Sequence, residues 1–305
     1  MLDEIWRVAL PMAAGVAAAL VVDHRVAAVE APPGFAAPWR RAAASALLAG
    51  IFYLGVFASL GAIGIELELD LAGTRWWELF TLHGLLVAVL VAWGLLAYAG
   101  SPRRPPEPAA GSADAEPPAG TGPSPPPAEG AALPIPAGRG LAGCLARAFR
   151  LESPRPLREI ALGLGAGVAI WGAVLSALVF VSWAILSFGG EDLLPRDPPG
   201  LITFLVDQPA WVRLAAALSA GLVEETFFRG FLQPRVGLPL STLLFVLAHF
   251  AYGQPFMLIG VALLSVIYGL LARHRGDVWA AATAHAVFDA VQLLVVVPWV
   301  VRQVA

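Results

Sequence analysis

Apolar runs of about bilayer length recur through this 305-residue chain, and that recurrence constrains the fold before any other feature does. A bilayer's hydrocarbon core is about 30 Å thick, and about 20 residues of helix cross it. Inside lipid every backbone polar group needs a partner within the protein, which an isolated helix supplies and an isolated strand does not. The runs fall at 5–22, 42–65, 79–98, 158–188, 209–233, 238–252, 255–272 and 278–301. They predict an all-α, polytopic membrane protein of about eight transmembrane helices, five of them in the C-terminal half. A hydrophobic content of 58%, a charged content of 13% and a mean hydropathy of +0.75 agree, since soluble domains carry about 25% charge. Asp3 and Glu4 precede the first run, whereas a secretory signal begins with basic residues, so the run is expected to be an uncleaved span.

Three regions follow from composition. Residues 1–99 form an N-terminal membrane region of three spans, with Trp76 and Trp77 placed for an interfacial aromatic belt. Residues 100–140 are rich in Pro, Ala, Gly and Ser, cannot bury apolar surface, and are expected to be a disordered linker. Residues 141–305 hold five spans, the first preceded by a short segment at 141–149 suited to the membrane surface and containing the row Gly163, Gly165 and Gly167 for close helix packing. All 19 basic residues are arginine. They gather at Arg103, Arg104, Arg139, Arg147, Arg150, Arg155 and Arg158, which makes the linker side cytoplasmic by the positive-inside rule. With Arg40, Arg41, Arg235, Arg273 and Arg275 on the same side, both termini and the acidic loop of Glu66, Glu68, Asp70 and Glu78 fall outside. Arginine, alanine and proline usage suggests a GC-rich genome, and the expected location is a bacterial cytoplasmic membrane. No basic patch is interleaved with aromatics, which argues against nucleic acid as a partner. Cys144 is the only cysteine, so an intrachain disulfide is excluded.

Against this apolar background, residues 221–230 read GLVEETFFRG. A charge at the centre of a span costs about 2.5 to 3.5 kcal/mol on insertion scales and needs a partner or a use. Glu225 and Arg229 fall at i and i+4 and can neutralise one another. Glu224, rotated by about 100°, is left over. Two more spans carry His249, and His285 with Asp289 one turn on. At about 1.5 Å of rise per residue, counted from Arg235, Gly237 and Gly276, Glu224, His249 and His285 lie roughly 16, 18 and 14 Å deep, at one level. His83 has no other titratable residue in its span and reads as a packing residue.

A glutamate and a histidine can together hold and deprotonate water, the general-base step of hydrolysis. A second histidine and its neighbour can hold a carbonyl oxygen as negative charge develops. No G-x-S-x-G and no H-E-x-x-H is present. Without a metal this is glutamic-type chemistry. The alternative is a zinc site built from His249, His285 and Glu224 or Asp289, because two histidines and a carboxylate can form one.

At these residues the chain resembles the CAAX protease and bacteriocin-processing family, also called CPBP or Abi, of intramembrane endopeptidases. The family's E-E-x-x-x-R is matched by Glu224, Glu225 and Arg229, its F-x-x-x-H by Phe245 and His249, and its final H-x-x-x-N/D by His285 and Asp289. The resemblance covers about residues 205–300. It implies that Glu224 and His249 activate water, that His285 and Asp289 line the oxyanion side, and that Glu225, Arg229 and Phe245 support them. Prenyl-protein endopeptidases of the family carry Asn at the last position, and here it is Asp289. An ionised aspartate cannot donate to an oxyanion, so Asp289 is either protonated, or it orients His285 or binds metal. The implied substrate is a peptide bond at or near a membrane segment of a protein or peptide held in the bilayer, with no cofactor. A non-catalytic immunity or scaffold protein of the same fold is the competing expectation.

Overall fold

The computed structural model describes residues 2–62, 74–100, 140–195 and 200–304. Most of the linker, with Arg103, Arg104 and Arg139, and the acidic stretch Glu66, Glu68 and Asp70 lie outside the described residues.

The described chain is helical, with no strand. Helix α1 (Leu2–Val29) leads through a short turn into α2 (Pro38–Phe52), which continues through Tyr53–Phe57. A 3-10 turn at Trp76–Phe80 opens α3 (Thr81–Tyr98). The short α4 (Leu141–Ala148) precedes the long α5 (Pro156–Ser187) and the short α6 (Gly200–Val206). Helix α7 (Ala210–Ser219) widens into two π turns, Ala220–Glu224 and Thr226–Leu232, before α8 (Gln233–Ala248). Helices α9 (Pro255–Arg275), α10 (Trp279–Val291) and α11 (Val297–Val304) complete the bundle.

Seven stretches among the described residues are long and apolar enough to cross a bilayer. The difference from eight lies in Ala210–Ala248, which is one continuous apolar stretch. It reverses at Gly237, whose φ of 81° and ψ of 166° suit a residue without a side chain. Pro239 two residues later lacks the amide proton a continuing helix would need. The arm from Leu238 to Ala248 is about 16 Å long, about half the thickness of a bilayer core, too short to form the separate span expected at 238–252.

One hydrophobic core runs through both halves of the molecule. Phe52 and Val56 of the α2 stretch, Leu86 and Trp93 of α3, and Phe227, Phe231 and Phe245 of the C-terminal region belong to it. The Trp93 ring meets Phe231 edge-on at 4.9 Å. Large exposed side chains on α1 (Trp6, Leu10) and α5 (Val168, Phe180, Trp183) mark the lipid face. Helix α4, expected on the membrane surface, packs Leu145 against Gly94 at the end of α3. In the glycine row, a Cβ at Gly163 would strike the Ala280 carbonyl and Thr283 at 2.6 Å, and one at Gly167 would strike Val287 at 2.7 Å. These two, one turn apart, let α10 lie against α5. Gly165 faces away and meets nothing within 4 Å, because i+2 points to the other side of a helix.

The two ends of the bundle differ in charge. At one end Arg235 pairs with Glu30 at 2.9 Å, Arg41 with Asp23 at 2.7 Å and Arg275 with Glu159 at 2.6 Å. Of the arginines described there, Arg25, Arg40, Arg147, Arg150, Arg155, Arg158 and Arg273 bring the total to ten. The other end, where Trp76 stacks edge-on against Trp211 at 5.0 Å, has Arg7, Arg75, Arg213 and Arg302.

Candidate active site

The two glutamates sit where the α7 stretch is widest. In a π turn hydrogen bonds run from i to i+5, a geometry that recurs at functional sites. Gly221 is the second residue of the first π turn, and a Cβ there would run into the Ala282 carbonyl and Ala286 of α10. Its absence brings the glutamate-bearing backbone against the helix that carries His285 and Asp289.

Glu224 and Glu225 then face different surroundings. Glu225 is fully buried; its Oε2 lies 3.1 Å from Arg229 Nε. Arg229, 1% exposed, also donates from Nη2 to the Ser265 carbonyl at 3.3 Å and lies over the Phe245 ring at 4.2 Å. The i, i+4 pairing expected from the sequence is therefore in place, with Phe245 as a third member. Phe245 also packs against His249, ring to ring at 4.4 Å.

His249 ends α8. Its φ of −95° and ψ of 3° leave the helical region, a 3-10 turn follows, and Gly253 at φ 67° turns the chain before Pro255 opens α9 as its first residue. Its Nδ1 lies 2.8 Å from the Phe245 carbonyl. A carbonyl only accepts, so Nδ1 carries the proton and, in the neutral ring, Nε2 keeps its lone pair. That Nε2 is 3.9 Å from Glu224 Oε2, an oxygen that accepts no hydrogen bond.

His285 is buried, with both ring nitrogens directed at carboxylates. Nδ1 is 2.9 Å from Glu225 Oε1, and Nε2 is 3.4 Å from Asp289 Oδ2. Tyr268 stacks on the ring at 5.1 Å. His285 is thereby tied to the Glu225–Arg229 pair, and of its two nitrogens only Nε2, at the longer distance, has a bond loose enough to share with another acceptor. Asp289 lies one turn from His285 on the same helix and within 3.4 Å of its ring.

His83 departs from its expectation as a packing residue. Its Nε2 lies 3.2 Å from Glu224 Oε1 and its Nδ1 2.7 Å from Ser219 Oγ. Glu224, left over by the i, i+4 pairing, thus has a partner from α3. Sequence periodicity hid this. In a regular helix Ser219 and Glu224 point about 140° apart, and only the π turn brings residues five apart onto one face for a single imidazole to bridge.

Glu224, His249, His285, Asp289, Phe245 and His83 all line one cavity of about 1480 Å³. Its wall is otherwise mostly apolar, and Thr74, Glu78, Gly200 and Gly253 lie along it at the arginine-poor end of the bundle. Among the described residues no group of three His, Cys, Asp or Glu side chains is arranged to hold a metal ion.

Residues 206–291, under a third of the chain, match the family described as type II CAAX prenyl endopeptidase Rce1-like. The similarity to this Rce1-like family is confined to that segment. The segment contains Glu224, Glu225, Arg229, Phe245, His249, His285 and Asp289, and it excludes His83. A relative from Bacillus subtilis (strain 168), named uncharacterized protein YpbD, is 37% identical over 75 residues, which are 24% of this chain and 40% of YpbD. The chain thus spans about two fifths of that relative's length. No solved structure matches. The Rce1-like segment lies in an integral membrane protein, and the matched family is one of endopeptidases.

Proposed function

We propose that this protein is an intramembrane endopeptidase that hydrolyses a peptide bond at or near a membrane segment of its substrate, using water activated by Glu224 and His249. The observation that carries the reading is the facing pair: Glu224 Oε2, bare of hydrogen bonds, and His249 Nε2, 3.9 Å apart on the wall of one cavity. A water beside them donates one proton to Glu224 while His249 Nε2 accepts its other hydrogen bond. As the water oxygen bonds to the carbonyl carbon, its proton passes to Glu224 and negative charge moves to the carbonyl oxygen, where the His285 Nε2–H stabilises it. Glu224 then returns the proton to the amide nitrogen as the C–N bond breaks, leaving a carboxylic acid and an amine. Asp289 serves by orienting His285.

The zinc alternative assigns His249, His285 and Glu224 or Asp289 as ligands. Chelator treatment separates the two: the glutamic route retains activity, and loss with recovery on added zinc reverses the assignment.

We further place the arginine-rich end and the linker on the cytoplasmic side of a bacterial cytoplasmic membrane. The cavity wall at Thr74, Glu78, Gly200 and Gly253 then lies toward the outer side.

Comparative terminal proteomics of wild-type and Glu224→Ala cells tests the function. Membrane or secreted proteins are expected to carry new termini in the wild type that vanish in the variant. Identical termini in both strains would sink the protease reading in favour of a non-catalytic membrane protein.

A further inference from the structure

We infer that His83, on α3 and outside the Rce1-like segment, is a positioning residue of this site, and that the N-terminal membrane region therefore completes it. The inference rests on the endopeptidase reading above.

The geometry is a relay of three groups. Glu224 in its ionised form only accepts, so the 3.2 Å contact requires the proton on His83 Nε2. In the neutral ring Nδ1 then accepts from the Ser219 hydroxyl at 2.7 Å, which fixes the tautomer. His83 holds Oε1 and leaves Oε2 as the one carboxylate oxygen facing His249. Without that bond the carboxylate can rotate about its terminal torsion, which is broad and roughly two-fold, and neither oxygen is held toward the water.

Two further observations separate this from ordinary packing. Both His83 nitrogens reach across to side chains of another element, and one of those side chains is Glu224 itself. Their partners, Ser219 and Glu224, bracket the π turn Ala220–Glu224, so the one irregular turn that presents Glu224 also aligns the residue that fixes the His83 tautomer.

The same proteomic comparison tests the inference when His83→Ala and His83→Gln cells are added, with full-length protein confirmed at equal abundance in the membrane. New termini are expected to fall about 10- to 100-fold in His83→Ala, the cost of a small misplacement of a reacting group. They should return in part in His83→Gln, whose amide can still donate to Glu224. On a peptide spanning a cleavage site so identified, kcat carries the loss while KM stays within about twofold, and added imidazole restores part of the His83→Ala rate. A purely structural histidine would give neither the split nor the rescue. If wild type and Glu224→Ala differ while His83→Ala matches wild type, the inference fails alone. If wild type and Glu224→Ala do not differ, the endopeptidase reading fails and takes this inference with it.

Discussion

Two surfaces of one helical segment, one residue apart, have opposite characters. Behind the site, Glu225, Arg229, His285 and Phe245 form a buried assembly in which charges meet at 2.9 and 3.1 Å. In front, Glu224 and His249 stand 3.9 Å apart on a cavity wall, with a carboxylate oxygen left unbonded. Burying an ion pair is costly and is offset only when geometry and hydrogen bonds are good. The rear assembly meets it in part: its charges are in closer contact than the front pair, although Glu225 Oε2 and Arg229 Nη1 also make no hydrogen bond. The lesson is one of division: the rear charges fix where the backbone and His285 sit, and in front one oxygen of Glu224 is left without a hydrogen bond at a place fixed by its neighbours.

Substitutions can break the comparison. The largest effect is expected for Glu224→Gln, which should lower cleavage by about 10²- to 10⁴-fold, the scale of a lost general base. Its thermal midpoint should stay near wild type; a large fall in midpoint would move Glu224 to the structural side. Arg229→Met is expected to do the reverse, costing about 3–5 kcal/mol because it leaves a buried carboxylate uncompensated. Unfolding of the detergent-purified protein measures this, and adding Glu225→Gln should recover part of the loss. Gly221→Val should cost about 1–3 kcal/mol by overpacking against α10, with activity falling because the front and rear surfaces shift together. Asp289→Asn is the mildest case. An asparagine oxygen still accepts from His285 Nε2, so the rate should change by less than about tenfold, one 1.4 kcal/mol step. A larger loss would mean that the aspartate charge itself takes part.

Much of this arrangement is legible in the sequence because membrane helices obey simple geometry. Run length marks the spans, a spacing of four pairs Glu225 with Arg229, and counting rise from the helix ends brings Glu224, His249 and His285 to one depth. What eludes such reading is every feature that departs from a regular helix. The π turn is invisible to 3.6-residue periodicity, so Ser219 and Glu224 look unrelated and His83 looks isolated. The turn at Gly237 sits within an apolar stretch that reads as two full spans, although its second arm is too short to be one. Gly165 falls in the same small-residue row as Gly163 and Gly167 but on the opposite face. A signal for His83 does exist: an unpaired imidazole in an otherwise non-titratable span needs a partner, and Glu224 was the carboxylate without one.

The reversal at Gly237 also acts as a ruler. Glu224 lies 13 residues before it and His249 12 residues after it, so two nearly equal arms return the chain to the same height. Each added residue of helix shifts a group by about 1.5 Å along the axis and about 100° around it. The front pair therefore meets because of arm lengths as much as residue identities. Insertions or deletions between 225 and 248 would separate Glu224 from His249 even where every motif residue is retained.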